Sequence, residues 1–202
     1  TLAASMINAV SRNQKKGNLE GRLFEIAKKF IPKDLPLTEY PDERQTLCVA
    51  TFGTQEDFFT MKGIAEKVAE VLHVEFTYAN TQNTFLHPFQ TASISCDGEE
   101  IGYFGKLAYD IADECDMRVP MYIMEIDLEV LSKYYGKKAM FTPLPKFAEE
   151  QRDLAIVVDK TVTCGEIEET MKEACKYITS IKLFDIYEGA QIAEDKKSMA
   201  FT

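Results

Sequence analysis

Leu183-Phe184-Asp185-Ile186-Tyr187-Glu188-Gly189 is the stretch on which the fold turns. Side chains two apart in an extended chain point to the same face, so Leu183, Asp185 and Tyr187 share one side and Phe184 and Ile186 the other. One face is apolar and fit to pack on a helix. The other sets a carboxylate acceptor beside an aromatic ring. A helix is available upstream: Thr163-Cys164-Gly165-Glu166 is a capping box, in which hydroxyl and carboxylate each satisfy an orphan amide. It opens a segment with Ile167, Met171, Ala174 and Ile178 on one expected face. Before it, Leu154 to Val158 reads as a buried strand. After it, Ile181 to Tyr187 is a second strand and Lys197 to Phe201 a third.

Strand, helix, strand, strand is the first part of a ferredoxin-like (RRM-like) unit, which needs another helix and strand to close. We therefore expect residues 148–202 to form such a βαββ module, truncated at its C-terminal end, and the chain to be a fragment. Residues 141–147 read as a linker, because Pro143 and Pro145 so close together cannot continue a helix or a central strand.

Residues 1–140 carry a different pattern, and an α+β fold class follows from the whole. Leu2 to Val10 reads as a helix, followed by a polar turn over Asn13 to Asn18. Arg22 to Phe30 alternates, with Phe24, Ile26 and Phe30 on one side, as a half-buried strand does. Leu47 to Phe52 is a short strand. Asp57 stands at an N-cap position ahead of Phe58, Met61, Ala65, Val68 and Leu72 at helical spacing. Asp97-Gly98 between Ala92–Cys96 and Ile101–Leu107 signals a hairpin. Val119 to Leu128 is a further strand, with a short helical piece running to Tyr135. This is an antiparallel sheet with helices laid against it.

Composition bounds the setting. No apolar run approaches the length of a bilayer span, and the first residues lack a basic n-region and an h-region. Five cysteines, odd in number and without a C-x-x-C pair, argue for a reducing compartment, hence the cytoplasm, and against a disulfide framework or zinc site. The net charge of −10 argues against a surface that embraces phosphate backbones. Residues 145–202 hold 8 Lys+Arg against 12 Asp+Glu, and no basic stripe stands out elsewhere. Contact with nucleic acid must then be local and aromatic, or must draw its electrostatics from other chains.

Stacking on a ring and hydrogen bonding to an exposed base edge are the tools by which single-stranded RNA is read, and Tyr187 with Asp185 supplies both. The pattern alone fits a plainer arrangement as well, a solvent-facing strand whose tyrosine covers its neighbour. Arg152 and Asp153 read as a structural ion pair or turn contact at a strand start. His73 and His87 have no Cys, His or carboxylate at ligand spacing, so they read as core or turn histidines. Asp110, Asp113, Glu114 and Asp116 lack the glycine turn and closing glutamate of a calcium loop, and read as a solvated acidic loop. Gly136-Lys137 lacks the remaining residues of a phosphate loop.

Arg152-Asp153-Leu154-Ala155, Phe184 to Gly189 and Lys197-Ser198-Met199-Ala200 together resemble the ferredoxin-like anticodon-binding domain that closes the β subunit of bacterial phenylalanyl-tRNA synthetase. Upstream, Leu23-Phe24-Glu25-Ile26, Asp57-Phe58-Phe59 with Lys62-Gly63, Phe85-Leu86-His87-Pro88, and Gly102 through Gly105-Lys106-Leu107 fall in the same family's order. That region resembles its class II synthetase-like module, which performs no aminoacylation. The resemblance implies that Asp185 and Tyr187, with Ser198 close by, contact anticodon bases of the tRNA for phenylalanine. It implies a catalytic α subunit as partner, in an α2β2 enzyme, and no membrane. ATP and magnesium are implied for that enzyme, with no cofactor, catalytic residue or metal site in this stretch, where no Gly-rich segment with a trailing arginine occurs. The competing reading is a protein-interaction scaffold that never binds RNA.

The chain departs from the family pattern in places. Phe89-Gln90-Thr91 stands where the family usually has Gly-Arg-Ser, Leu107-Ala108-Tyr109 where it has Leu-His-Pro, and Ala148 where it has proline.

Overall fold

Helix α1 (Ala3–Lys15) lays Ala3, Met6, Ile7 and Val10 against a sheet, the apolar stripe that spacings of three and four create. It runs five residues past the expected end at Val10. Gln14, expected in a turn, is buried on it, and its Oε1 accepts the amides of Arg118 (2.6 Å) and Val119 (3.1 Å). The computed structural model describes residues 1–136 and 148–202, so the expected linker at 141–147 lies outside the described residues. The chain divides into two units, Thr1–Met140 and Phe141–Thr202.

In the first unit α1 is followed by β1 (Gly21–Ile31), β2 (Asp42–Phe52), α2 (Phe58–Leu72), β3 (Phe76–Asn80), β4 (Leu86–Cys96), β5 (Glu99–Leu107), α3 (Tyr109–Glu114), β6 (Met121–Asp127) and α4 (Leu128–Leu131). The strands form one six-stranded sheet in the order β1-β2-β6-β5-β4-β3, with every neighbouring pair antiparallel. Asp57 caps α2 as expected, accepting the Thr60 amide at 2.6 Å. That bond, first among its causes, holds the Asp57 carboxyl below its usual range. Asp97 and Gly98 both take positive φ (49° and 82°), the two-residue turn whose twist suits a tight hairpin between β4 and β5.

Both faces of the central strands are covered. On one, α1 packs over Cys48, Ala50, Phe52, Leu107, Met121 and Ile123. On the other, Met61 and Ala65 of α2 and Val130 and Leu131 of α4 close over Val49, Phe104, Met124 and Ile126. Helix α2 lies over β5 and β6, at the middle of the sheet. Strand β1 is an edge beyond its reach, which overturns one expectation. Phe24, Ile26 and Phe30 were expected half-buried, yet they are 74%, 51% and 59% exposed. Phe24 lies opposite Val49 and Ile26 opposite Leu47, on the α2 side but past the helix. The acidic stretch near Asp110 also differs from the loop expected there: residues 109–114 form the short helix α3, which contributes no buried residue.

The second unit runs β7 (Leu154–Asp159), α5 (Cys164–Ala174), β8 (Leu183–Tyr187) and β9 (Lys196–Phe201), the expected strand–helix–strand–strand order. The sheet order is β7-β9-β8, antiparallel throughout. The capping box is present: Glu166 Oε2 accepts the Thr163 amide at 2.7 Å and Thr163 Oγ1 accepts the Glu166 amide at 3.3 Å. Ile167 and Met171 of α5 pack on Ile156, Val158, Leu183, Met199 and Phe201. Three expectations change. Helix α5 ends at Ala174, so Ile178 lies beyond it. Strand β7 is an edge and not a buried strand, with Leu154 and Val157 about half exposed. Leu183 belongs to the core face, for the reason given below.

Candidate nucleic-acid interface

Residues directly opposite in an antiparallel pair share a face. Tyr187 lies opposite Ser198, and Val157 lies opposite Ser198 from the other side, so Val157, Ser198 and Tyr187 form one row across β7-β9-β8. Ala155, Ala200 and Asp185 form the adjacent row, and Asp159 with Lys196 the start of a third. Helix α5 covers the other face, through Ile156 and Met199, so these rows line an open surface. The three residues singled out in the sequence, Asp185, Tyr187 and Ser198, thus share one face.

The expected alternation holds for Asp185 and Tyr187 but fails at Leu183. Between Leu183 and Asp185 the pairing register shifts, a β-bulge. A bulge adds one residue to one strand and so moves everything before it to the opposite face. Leu183 therefore turns inward beside Phe201, and Phe184 stands half exposed at the bulge. Val157 was missed as a member of the open face because its strand was read as buried on both sides.

The open face is equipped to contact a flat ligand but not to hold a polyanion. Tyr187 is 42% exposed. Among the described residues neither the Tyr187 hydroxyl nor the Asp185 carboxylate has a hydrogen-bond partner. Two lysines of this unit are engaged, Lys196 with Asp159 at 2.6 Å and Lys160 with Glu188 at 2.9 Å. Arg152 and Asp153, expected as an ion pair or a turn contact, are not paired with each other. Arg152 meets Glu150, and Asp153 accepts the Thr202 hydroxyl.

The first unit offers a surface of another kind. Phe24, Ile26 and Phe30 of β1 are exposed, as are Leu35, Leu37 and Tyr40 of the β1–β2 connection. Beside Ile26 runs an open groove of about 390 Å³ lined by Leu72, Leu128, Leu131 and Tyr135. Two of the departures from the family pattern, at Phe89 and at Tyr109, meet around His87. His87 packs edge-on to Tyr109 at 5.3 Å and near Phe89 at 6.1 Å, and Lys106 Nζ lies 4.6 Å from the Tyr109 ring centre. His87 Nδ1, within β4, accepts the Phe89 amide, and His73 closes α2 in the left-handed conformation. Among the described residues no group of three or more His, Cys, Asp or Glu side chains is arranged for a metal ion, and no helix is long and apolar enough to cross a membrane.

Residues 1–128 match the family described as the phenylalanyl tRNA synthetase beta chain CLM domain, and residues 145–202 match the ferredoxin-fold anticodon binding domain. The phenylalanine–tRNA ligase beta subunit of Clostridium tetani is 36% identical over 205 residues, which is 100% of this chain and 26% of that protein. That of Bacillus subtilis is 31% identical over 214 residues, with 100% and 26% covered. The chain thus spans about a quarter of the length of these relatives. Among solved structures, pyrrolysyl-tRNA synthetase from Desulfitobacterium hafniense aligns with a TM-score of 0.52 at 17% identity, over 65% of this chain and 47% of that one. At that identity the likeness concerns fold alone.

Proposed function

The chain belongs to the phenylalanyl-tRNA synthetase β-chain family, and from that premise we propose that it serves a phenylalanine–tRNA ligase as a docking module joined to an anticodon reader. The observation that carries the reading is the shared open face of Asp185, Tyr187 and Ser198 in the second unit. The phenol gives an unpaired base a surface to stack on, and such stacking tolerates any base. The Asp185 carboxylate only accepts hydrogen bonds, so it discriminates among bases by the donors on their edges. The Ser198 hydroxyl, between Tyr187 and Val157, donates or accepts.

The first unit takes no part in the chemistry under this reading. The central strands are covered on both faces, by α1 on one and by α2 with α4 on the other, and leave no open sheet face for a nucleotide. ATP and magnesium are assigned to the catalytic α chain of an α2β2 enzyme in the cytoplasm. The α chain docks on β1. An eleven-residue edge strand offers unpaired backbone groups. Phe24, Ile26 and Phe30 add apolar surface that a soluble partner covers to mutual advantage.

The acidic chain, with net charge −10, favours a second reading in which both units bind only protein. A titration separates the two. The full-length β chain assembled with its catalytic partner is titrated with tRNA for phenylalanine, native and with a changed anticodon. The anticodon reader binds the changed tRNA more weakly. Equal affinities would support the scaffold and overturn the reader.

A further inference from the structure

The Tyr187 ring on the open face is seated by a glycine. Gly189 lies two residues beyond Tyr187, where the chain leaves β8. A Cβ built on it would stand 2.5 Å from Tyr187 Cζ and 3.1 Å from Cε2, and closer still to the hydroxyl oxygen. The phenol therefore lies down over the Gly189 backbone. The usual reason for a glycine in a turn does not apply, since its φ lies outside the left-handed region in which Gly17, Gly53, Gly98 and Gly136 are found. What the missing side chain makes room for is the ring.

The backbone under the ring is held in its turn, where the Gly189 carbonyl accepts the Ile192 amide at 3.0 Å. The atoms that an added methyl group would meet are the far end of the Tyr187 side chain, so the ring is what moves. With the Tyr187 hydroxyl folded onto the turn, the outer side of the phenol remains exposed beside Ser198 and Asp185.

We propose that Gly189 is a positioning residue: its bare backbone seats the Tyr187 phenol so that the ring, Ser198 and Asp185 present one continuous surface to an unstacked base. This inference rests on the anticodon-reading proposal and deepens it. Gly189 itself touches no RNA. Its effect passes through the orientation of Tyr187, because stacking requires the ring plane to match the plane of the incoming base.

The test is a two-residue cycle in the full-length β chain assembled with its catalytic partner, comprising wild type, Gly189→Ala, Tyr187→Ala and the double variant. The readouts are dissociation constants for native tRNA and KM for phenylalanine in ATP–pyrophosphate exchange. Gly189→Ala is expected to weaken tRNA binding about fivefold, the low end of what loss of a stacking ring costs, and to leave KM for phenylalanine unchanged. In the Tyr187→Ala background the same change is expected to have no effect, because no ring remains to displace. Equal effects of Gly189→Ala in both backgrounds overturn the proposal, as does native affinity in the single variant. If Tyr187→Ala itself changes nothing, the anticodon reading fails, and with it this inference. If Tyr187→Ala weakens binding and Gly189→Ala does not, only the positioning role fails. Should Gly189→Ala alone not fold, a double variant that folds like Tyr187→Ala still locates the conflict at the ring, and a double variant that also fails to fold overturns it.

Discussion

Tyr103 on β5 donates its phenolic proton to Glu125 on β6 at 2.7 Å, and that carboxylate also holds the start of α1. Glu125 Oε1 accepts the amides of Leu2 and Ala3, the latter at 2.8 Å, together with the Thr1 hydroxyl at 2.7 Å. The first amides of a helix have no partners within it. Leu2 supplies no capping side chain, so the cap comes from a carboxylate 122 residues from Ala3, where the partial positive charge of the helix terminus favours it. Glu125→Ala leaves these donors unmatched and is expected to cost ~2–4 kcal/mol, as removal of a buried charged acceptor does. Urea unfolding followed by far-UV circular dichroism measures it. A loss below half a kcal/mol or so, the scatter of ordinary surface changes, would contradict the role given to Glu125.

The same pair sets an alkaline limit. Burial, and next the charge of Glu125, hold the Tyr103 phenol above its ordinary value of 10.0. A proton held more tightly in the folded chain gives stability that is full below the unfolded value and lost as pH rises beyond it. Stability is expected to fall from about pH 10 upward, and to fall less steeply in Tyr103→Phe. Denaturant midpoints measured across that range test this, and identical slopes in the two proteins would refute it.

Strand β1 is expected to be an assembly surface. Phe24→Asp with Ile26→Asp places charge on residues already exposed, so the fold should change by no more than about 0.5 kcal/mol. The variant full-length β chain should no longer co-purify with the catalytic α chain. Retention of a stable complex would remove β1 from the interface.

Thiol reactivity should follow burial. Cys175 is exposed at the end of α5, whereas Cys48 is wholly buried. Burial, with Glu125 and Glu25 adding their charge, pushes the Cys48 thiol up to about 12. The thiolate is the reactive form. At pH 8 a maleimide should label Cys175 rapidly and Cys48 only after unfolding, as read by peptide mass spectrometry. Fast labelling of Cys48 in the folded chain would contradict the packing of α1 on β2.

These relationships differ in how far the sequence alone discloses them. The Asp57 cap, the Thr163–Glu166 box and the Asp97-Gly98 turn are local, and a few neighbouring residues determine each. Asp185 and Tyr187 share a face by the period of a strand. Their meeting with Ser198 depends on register, which the match of apolar faces sets. The exposure of Phe24 and Ile26 is of another kind: their alternation is that of a buried strand, and only the position of α2 over β5 and β6 leaves them uncovered. Leu183 was misplaced because a bulge leaves no mark in the periodicity. Glu125 and α1 are brought together by the whole sheet, and nothing near either residue announces it. Gly189 reads as a turn marker until the ring of Tyr187 is seen above it.

The central claim is that the open face of the second unit reads RNA, and Tyr187→Ala tests it most directly. The variant is made in the full-length β chain assembled with its catalytic partner, and its affinity is measured for tRNA with the native and with a changed anticodon. The account predicts that native tRNA binds ~1–3 kcal/mol more weakly, the worth of one stacking ring, and that the gap between the two tRNAs narrows. Unchanged affinity for both, in a protein with an unaltered melting temperature, would contradict it.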